Sequence, residues 1–266
     1  MRLFYRKYGN GPPLVILHGL FGSSDNWVTI ARKISASFTV YLPDQRNHGH
    51  SPHSSEHNYQ LLSQDLYDLI EDLKIDKFIL AGHSMGGKAA VTFALSWPER
   101  INSLIIIDIS PFTTTDNNDP LYRQHREILE TVISLKLSDI TSRSEAETLL
   151  SKRIKSDKTR AFILKNLQRT TAGLFEWKLN AGSLLKNLDR ITEKVSLPGN
   201  LSLPVTGFPV TFVKGADSQY LQISDLKDIQ RVFPSAEMIN VRDAGHWIHA
   251  ERPDIIEDIF LSQINF

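Results

Sequence analysis

The sequence predicts an α/β fold: a mostly parallel central sheet with helices on both faces. Three observations carry that expectation. Short, fully apolar runs recur along the chain, as strands buried on both faces of a parallel sheet require. Segments with apolar residues at helical spacing lie between them. The alternation stops near Pro111, turns purely helical from about Asp119 to Val195, and resumes at Val210.

Each element follows in order. Met1 to Lys7 leads into a strand-like run, and Leu14 to Leu17 is an apolar strand. A glycine-containing loop and a helix near Trp27 to Ile34 come next, then a strand at Phe38 to Leu42. Leu61, Leu62, Leu66, Leu69, Ile70 and Leu73 recur at helical spacing. Lys77 to Ala81 reads as a strand, and the helix after it ends near Trp97-Pro98. Leu104 to Ile107 is a further strand. About four helices are then expected, near 120–136, 144–155, 157–170 and 180–191, with no strand among them. The stretch from Ser196 to Pro209, with prolines and glycines, reads as a loop returning to the core. Strands at Val210 to Val213 and Glu237 to Val241 and a helix from Pro253 to Ile264 close the pattern. The simplest organisation is a core of residues 1–111 and 205–266 with a helical lid, 112–204, inserted between two late strands. An insertion there lies over the carboxyl ends of the strands, where open α/β sheets bind ligands.

Composition narrows the function. Thirty basic and 30 acidic residues give zero formal net charge, so neither nucleic acid nor an anionic membrane is the expected partner. The absence of cysteine excludes disulfides and thiolate chemistry. The N-terminus lacks the apolar core of a signal peptide, and no apolar run approaches the roughly 20 residues that span a bilayer. A soluble, cytoplasmic monomer is the default expectation.

The chemistry concentrates at Phe78 to Lys88: an apolar strand, then Gly82-His83-Ser84-Met85-Gly86, then the start of a helix. This is the form of a nucleophile elbow, which lifts a serine hydroxyl above the sheet edge. It also puts the Met85 N–H at a helix N-terminus, suited to a developing oxyanion. Serine needs a base. His246, on a short glycine-containing loop after the last strand, stands in the expected order, serine first and histidine last. Two aspartates compete to orient it: Asp108, after Ile105-Ile106-Ile107, and Asp217, after Val210 to Val213. The second oxyanion donor should come from His18-Gly19-Leu20-Phe21-Gly22, with Leu20 donating, Phe21 walling the acyl pocket and His18 bracing the loop. Phe112, Trp177 and Trp247 are further aromatic candidates for substrate contact. His83 and His249 read as structural. His48, His50, His53 and His57 cluster in a polar loop without the spacing of a metal site; neither a metal nor an organic cofactor is expected.

Together these pieces resemble the α/β-hydrolase superfamily along nearly the whole chain, and within it the small bacterial esterases and related abhydrolase-domain esterases. The motifs are His18 to Ser23, Asp44 to Ser51, Gly82 to Lys88, Asp108 to Pro111 and Gly245 to Glu251. The resemblance implies an α/β-hydrolase fold with a helical lid and cofactor-free hydrolysis of carboxylic esters, with acyl-CoA thioesters as further candidates. Carbon–carbon bond hydrolysis, cofactor-free peroxidation and ligand binding without turnover are its alternatives. It also bears on the acid. Many members carry the acid three residues after a glycine closing the later strand; here that glycine is Gly215, and three onward stands Ser218, not Asp217. The esterases that this chain resembles use the position of Asp108, which the resemblance therefore favours.

Overall fold

A computed structural model describes residues 1–199 and 203–265. The strands are β1 (Tyr5–Tyr8), β2 (Pro13–Leu17), β3 (Thr39–Pro43), β4 (Phe78–His83), β5 (Ile101–Ile107), β6 (Leu167–Arg169), β7 (Phe175–Trp177), β8 (Val210–Gly215) and β9 (Ala236–Val241). The first helices are α1 (Val28–Ile34), α2 (Tyr59–Asp72) and α3 (Met85–Ser96). Between β5 and β8 come α4 (Pro120–Ser134), α5 (Arg143–Ser151), α6 (Asp157–Leu164), α7 (Ala181–Lys186) and α8 (Leu188–Thr192). The chain ends with α9 (Leu226–Val232), α10 (Ile248–Glu251) and α11 (Pro253–Leu261).

Seven strands form one sheet in the order β1-β3-β2-β4-β5-β8-β9. Only β1 pairs antiparallel, with β3. The apolar runs explain the layering. Leu14 and Ile16 of β2 point into a cluster with α1 and α11, whereas Val15 and Leu17 point into a second cluster with α2 and α3. Because β4, β5 and β8 are parallel neighbours, their carboxyl ends lie side by side and carry Ser84, Asp108 and the Gly215 loop to one edge.

Two expectations need correction. The inserted segment is not purely helical: β6 and β7 form an antiparallel hairpin where a single helix was expected to run to 170. Its three-residue strands are too short to show a period of two, and its turn is closed by Gly173 at φ +82°. The last inserted helix is also broken in two at Asn187, whose φ of −106° and ψ of 13° leave the helical region. The return loop from Ser196 to Pro209 lies partly outside the described residues, at 200–202.

Candidate active site

Strand β4 ends at His83 and α3 begins at Met85, leaving Ser84 alone in the turn. Its φ of 53° and ψ of −119° are strained for a residue with a side chain; such geometry costs about 1–3 kcal/mol and persists only when surroundings enforce it. Here the Ser84 N–H donates to the Ile107 carbonyl at 3.0 Å, and the Ser84 carbonyl accepts from Gly87 and Lys88 at 2.8 and 3.1 Å. Two glycines make the turn possible. A Cβ at Gly82 would lie 2.2 Å from the Gly86 carbonyl oxygen, and one at Gly86 would lie 2.5 Å from those of Leu17 and His18. As the first residue of α3, Met85 has an N–H with no intrahelical acceptor.

The loop after β2 lies directly against this turn: a Cβ at Gly19 would stand 3.2 Å from Cβ of Ser84. Leu20, next in this loop, lines the same cavities as Ser84. His18 braces the loop. Its Nε2 accepts the Gln45 N–H at 2.9 Å, so the proton resides on Nδ1, which donates to the Gly19 carbonyl at 2.9 Å. Burial lowers its pKa and keeps the ring neutral.

His246 stands between β9 and α10, and its Nδ1 lies 2.8 Å from Oδ2 of Asp108. Asp108 is fully buried and sits at φ 52° at the end of β5. Its Oδ1 accepts the Gly215 N–H at 3.0 Å, and its Oδ2 also accepts the Ser218 hydroxyl. A buried carboxylate with these donors is a well-satisfied anion. It assigns the proton to Nδ1 of His246 and leaves Nε2 as an acceptor. The Tyr220 ring stacks on the imidazole at 3.7 Å and 18°. From the other side, His83 donates through Nε2 to the His246 carbonyl at 2.8 Å. His83 and His249 are buried, their rings 4.9 Å apart, and His249 stacks on Trp27 at 4.5 Å. Burial first, then neighbouring His246, pushes the pKa of His83 well down and that of His249 to about 3. Asp217, the rival acid, is exposed, and its N–H goes to the Ala244 carbonyl at 3.0 Å. Among the described residues, no hydrogen bond joins its carboxylate to His246.

Ser84 opens onto two cavities. One of about 420 Å³ runs past Met85, Lys88, Tyr59, Leu121 and Ile191. Another, of about 770 Å³, runs past Phe21, His246, Trp247, Phe162 and Gln124. Leu20, His125 and Tyr220 line both. Residues of α4 and α6 therefore roof the serine. Phe21 and Trp247 both line the larger cavity, on the side of His246, so Phe21 does not wall the smaller one; Phe112 and Trp177 line neither. Both pack against the main core, Trp177 opposite Leu167 in the hairpin, and neither lines a cavity at Ser84. Bulky aromatic character marks apolar packing and does not distinguish a pocket wall from a small core. The histidine-rich loop also differs from expectation: His48 and His57 are fully buried. Among the described residues, no group of three or more His, Asp or Glu side chains is placed to hold a metal ion.

Four contributors went unrecognised in the sequence. Ser218, three residues after Gly215, donates its hydroxyl to Oδ2 of Asp108. Tyr220 and His125 had no motif to mark them. Lys88, inside the elbow motif, sends its buried ammonium to the carbonyls of Thr192 at 3.2 Å, Glu193 at 2.6 Å and Thr113 at 3.4 Å. It thereby ties the end of the inserted segment to the helix that begins at the serine.

Comparison with known proteins agrees with the fold. A family model described as "alpha/beta hydrolase fold" matches residues 12–253. The chain is 39% identical over 255 residues to the sn-1-specific diacylglycerol lipase ABHD11 of Danio rerio, covering 94% of this chain and 78% of the relative. It is 33% identical over 247 residues to Esterase YbfF of Escherichia coli, covering 93% and 91%. Among solved structures, a marine microorganism esterase superposes with a TM-score of 0.93 at 38% identity, covering 98% of each chain.

Proposed function

The chain belongs to the alpha/beta-hydrolase family as an esterase- or lipase-type member, and from that premise we propose that it hydrolyses carboxylic esters through an acyl-enzyme on Ser84. His246 takes the Ser84 proton at Nε2 as the oxygen attacks the acyl carbonyl. The N–H groups of Leu20 and Met85 receive the oxyanion. His246 then protonates the departing alkoxide, activates water, and releases the acid. Asp108 keeps the imidazole in the required tautomer and offsets its charge. Thioesters present the same carbonyl and fall within the same chemistry. Because His246 lines only the larger of the two cavities, the leaving group belongs there and the acyl chain in the smaller one.

The observation that carries the reading is the combination of a strained, cavity-facing serine with a histidine bonded at 2.8 Å to a buried aspartate. Hydrolysis of p-nitrophenyl esters of increasing acyl length, by wild type and Ser84→Ala, tests it. Turnover is expected to fall in the variant by at least roughly 10⁴-fold with the fold retained. Full activity in the variant would reject the proposal.

A further inference from the structure

Besides Asp108, two rings touch the imidazole of His246, and neither has a part in the mechanism above. His83 lies tilted at 41°, with ring centroids 4.7 Å apart. Tyr220 makes a face-to-face stack, with centroids 3.7 Å apart and planes within 18°. One face of the ring that becomes charged during the reaction therefore lies on a phenol.

The surroundings hold that phenol in place. Tyr220 stands in the loop after β8. Its N–H donates to the Ser218 hydroxyl oxygen at 3.2 Å, and its carbonyl accepts the Ser110 N–H at 2.9 Å. The Ser218 hydroxyl in turn donates to Oδ2 of Asp108. Ser110 follows Asp108 by two residues at the end of β5. The Tyr220 hydroxyl lies 3.3 Å from Nε2 of His125 in α4. The groups that seat the acid thus also seat the stacked ring, the acid at Nδ1 of His246 and the phenol on its face.

The face of an aromatic ring carries negative potential, and a cation within about 6 Å of its centroid is attracted to it. His246 is neutral before the reaction and an imidazolium once it holds the Ser84 proton. The attraction to Tyr220 grows with that charge, and only interactions that strengthen toward the transition state speed the chemical step. Burial, with Asp108 nearby, raises the pKa of the phenol, which therefore stays neutral. The other ionisable groups around the ring do not duplicate its part. His83 from β4, His125 from α4 and His249 from α10 are kept neutral by burial. Glu251 of α10 is engaged by the Gly245 N–H at 2.6 Å and by Lys158 at 3.2 Å.

We propose that Tyr220 is a positioning residue that holds the His246 ring by its face and stabilises the imidazolium formed when Ser84 is deprotonated, so that its aromatic ring, and not its hydroxyl, serves the reaction. This rests on the serine-hydrolase reading of the same site.

The test compares wild type, Tyr220→Phe and Tyr220→Leu on p-nitrophenyl butanoate across the pH range of activity. Tyr220→Phe keeps the ring and removes the hydroxyl. Tyr220→Leu keeps an apolar side chain and removes the ring. Tyr220→Leu is expected to lower the plateau of kcat/KM by roughly two- to fivefold, the scale of one such contact. It should also move the pH of half-maximal kcat/KM downward by about 0.4–0.7 unit, because the protonated ring has lost its partner. Tyr220→Phe should recover the midpoint and most of the rate. Tyr220→Met, flexible and without an aromatic face, makes the same comparison should Tyr220→Leu not fold. A loss of rate in Tyr220→Leu with an unmoved or raised midpoint would mean that the ring only fills space, and it overturns the inference while leaving the esterase standing. A midpoint that moves as far in Tyr220→Phe as in Tyr220→Leu assigns the effect to the hydroxyl and overturns it equally. Absence of turnover on any ester by wild type overturns the parent reading, and this one with it.

Discussion

At the scale of the residue, the question left open by the sequence was which aspartate serves His246. Asp108 and Asp217 both follow a strand and both reach the same edge, so spacing alone could not separate them. In the structure Asp108 is buried against His246, Gly215 and Ser218, whereas Asp217 is exposed. The two should therefore respond differently to the same chemical change. Asp108→Asn is expected to lower kcat by about 10³–10⁴-fold, because the amide no longer enforces the tautomer. Asp217→Asn should stay within about twofold. Steady-state kinetics on one activated ester decides, and equal damage would remove the distinction. Ser84 and His246 were legible because a motif and a chain order mark them. His125 and Tyr220 were not, since a histidine on a helix and a tyrosine in a loop resemble any others until folding brings them together.

At the scale of the element, the strand–turn–helix unit at Ser84 depends on close backbone approach. A methyl group at position 86 would meet two backbone carbonyl oxygens at 2.5 Å, and backbone cannot rotate away. Gly86→Ala should cost about 1–3 kcal/mol or more in urea unfolding. It should also lower kcat by displacing the Leu20 loop, since misplacement by about 1 Å can cost on the order of 100-fold. Unchanged stability and kcat would mean that the turn is more pliant than its contacts suggest. The inserted segment depends in turn on Lys88, whose ammonium reaches three carbonyls. Lys88→Met leaves those carbonyls without their donor. It should destabilise the fold by about 3 kcal/mol, read as a drop in Tm of roughly 6–12 °C for a chain of this size. The long elements were legible because burial on two faces writes continuous apolar runs, and amphipathic helices write a 3.6-residue period. The β6–β7 hairpin was not, because three residues carry no period and its pairing is decided by the segment around it.

At the scale of the whole molecule, several histidines are locked neutral. His48, His57, His83 and His249 are buried, and burial lowers each pKa, to about 3 for His57 and His249. In the unfolded chain the same rings titrate near 6.5. Below that value the unfolded state takes up protons that the folded state refuses, so stability falls as pH drops from about 6.5 toward about 3. Each ring contributes up to about 1.4 kcal/mol per pH unit across that window. Urea midpoints between pH 8 and pH 4.5 should be level above about 7 and fall steeply below about 6. A flat profile would refute the assignment of neutral, buried rings. No helix among the described residues is long and apolar enough to cross a membrane. The buried apolar residues pack on the two faces of the sheet and beneath the inserted segment. The sequence by itself determined the α/β class and the interruption after the fifth strand, and it marked Ser84 and His246 as the candidate serine and histidine. Those features are local: periodicity, motif and chain order are properties of neighbours along the chain. Only the tertiary structure decided which aspartate meets the histidine, which aromatics line the cavities, and which helix roofs the serine. Each of those depends on how separate segments pack in space, and that is set by the fold as a whole.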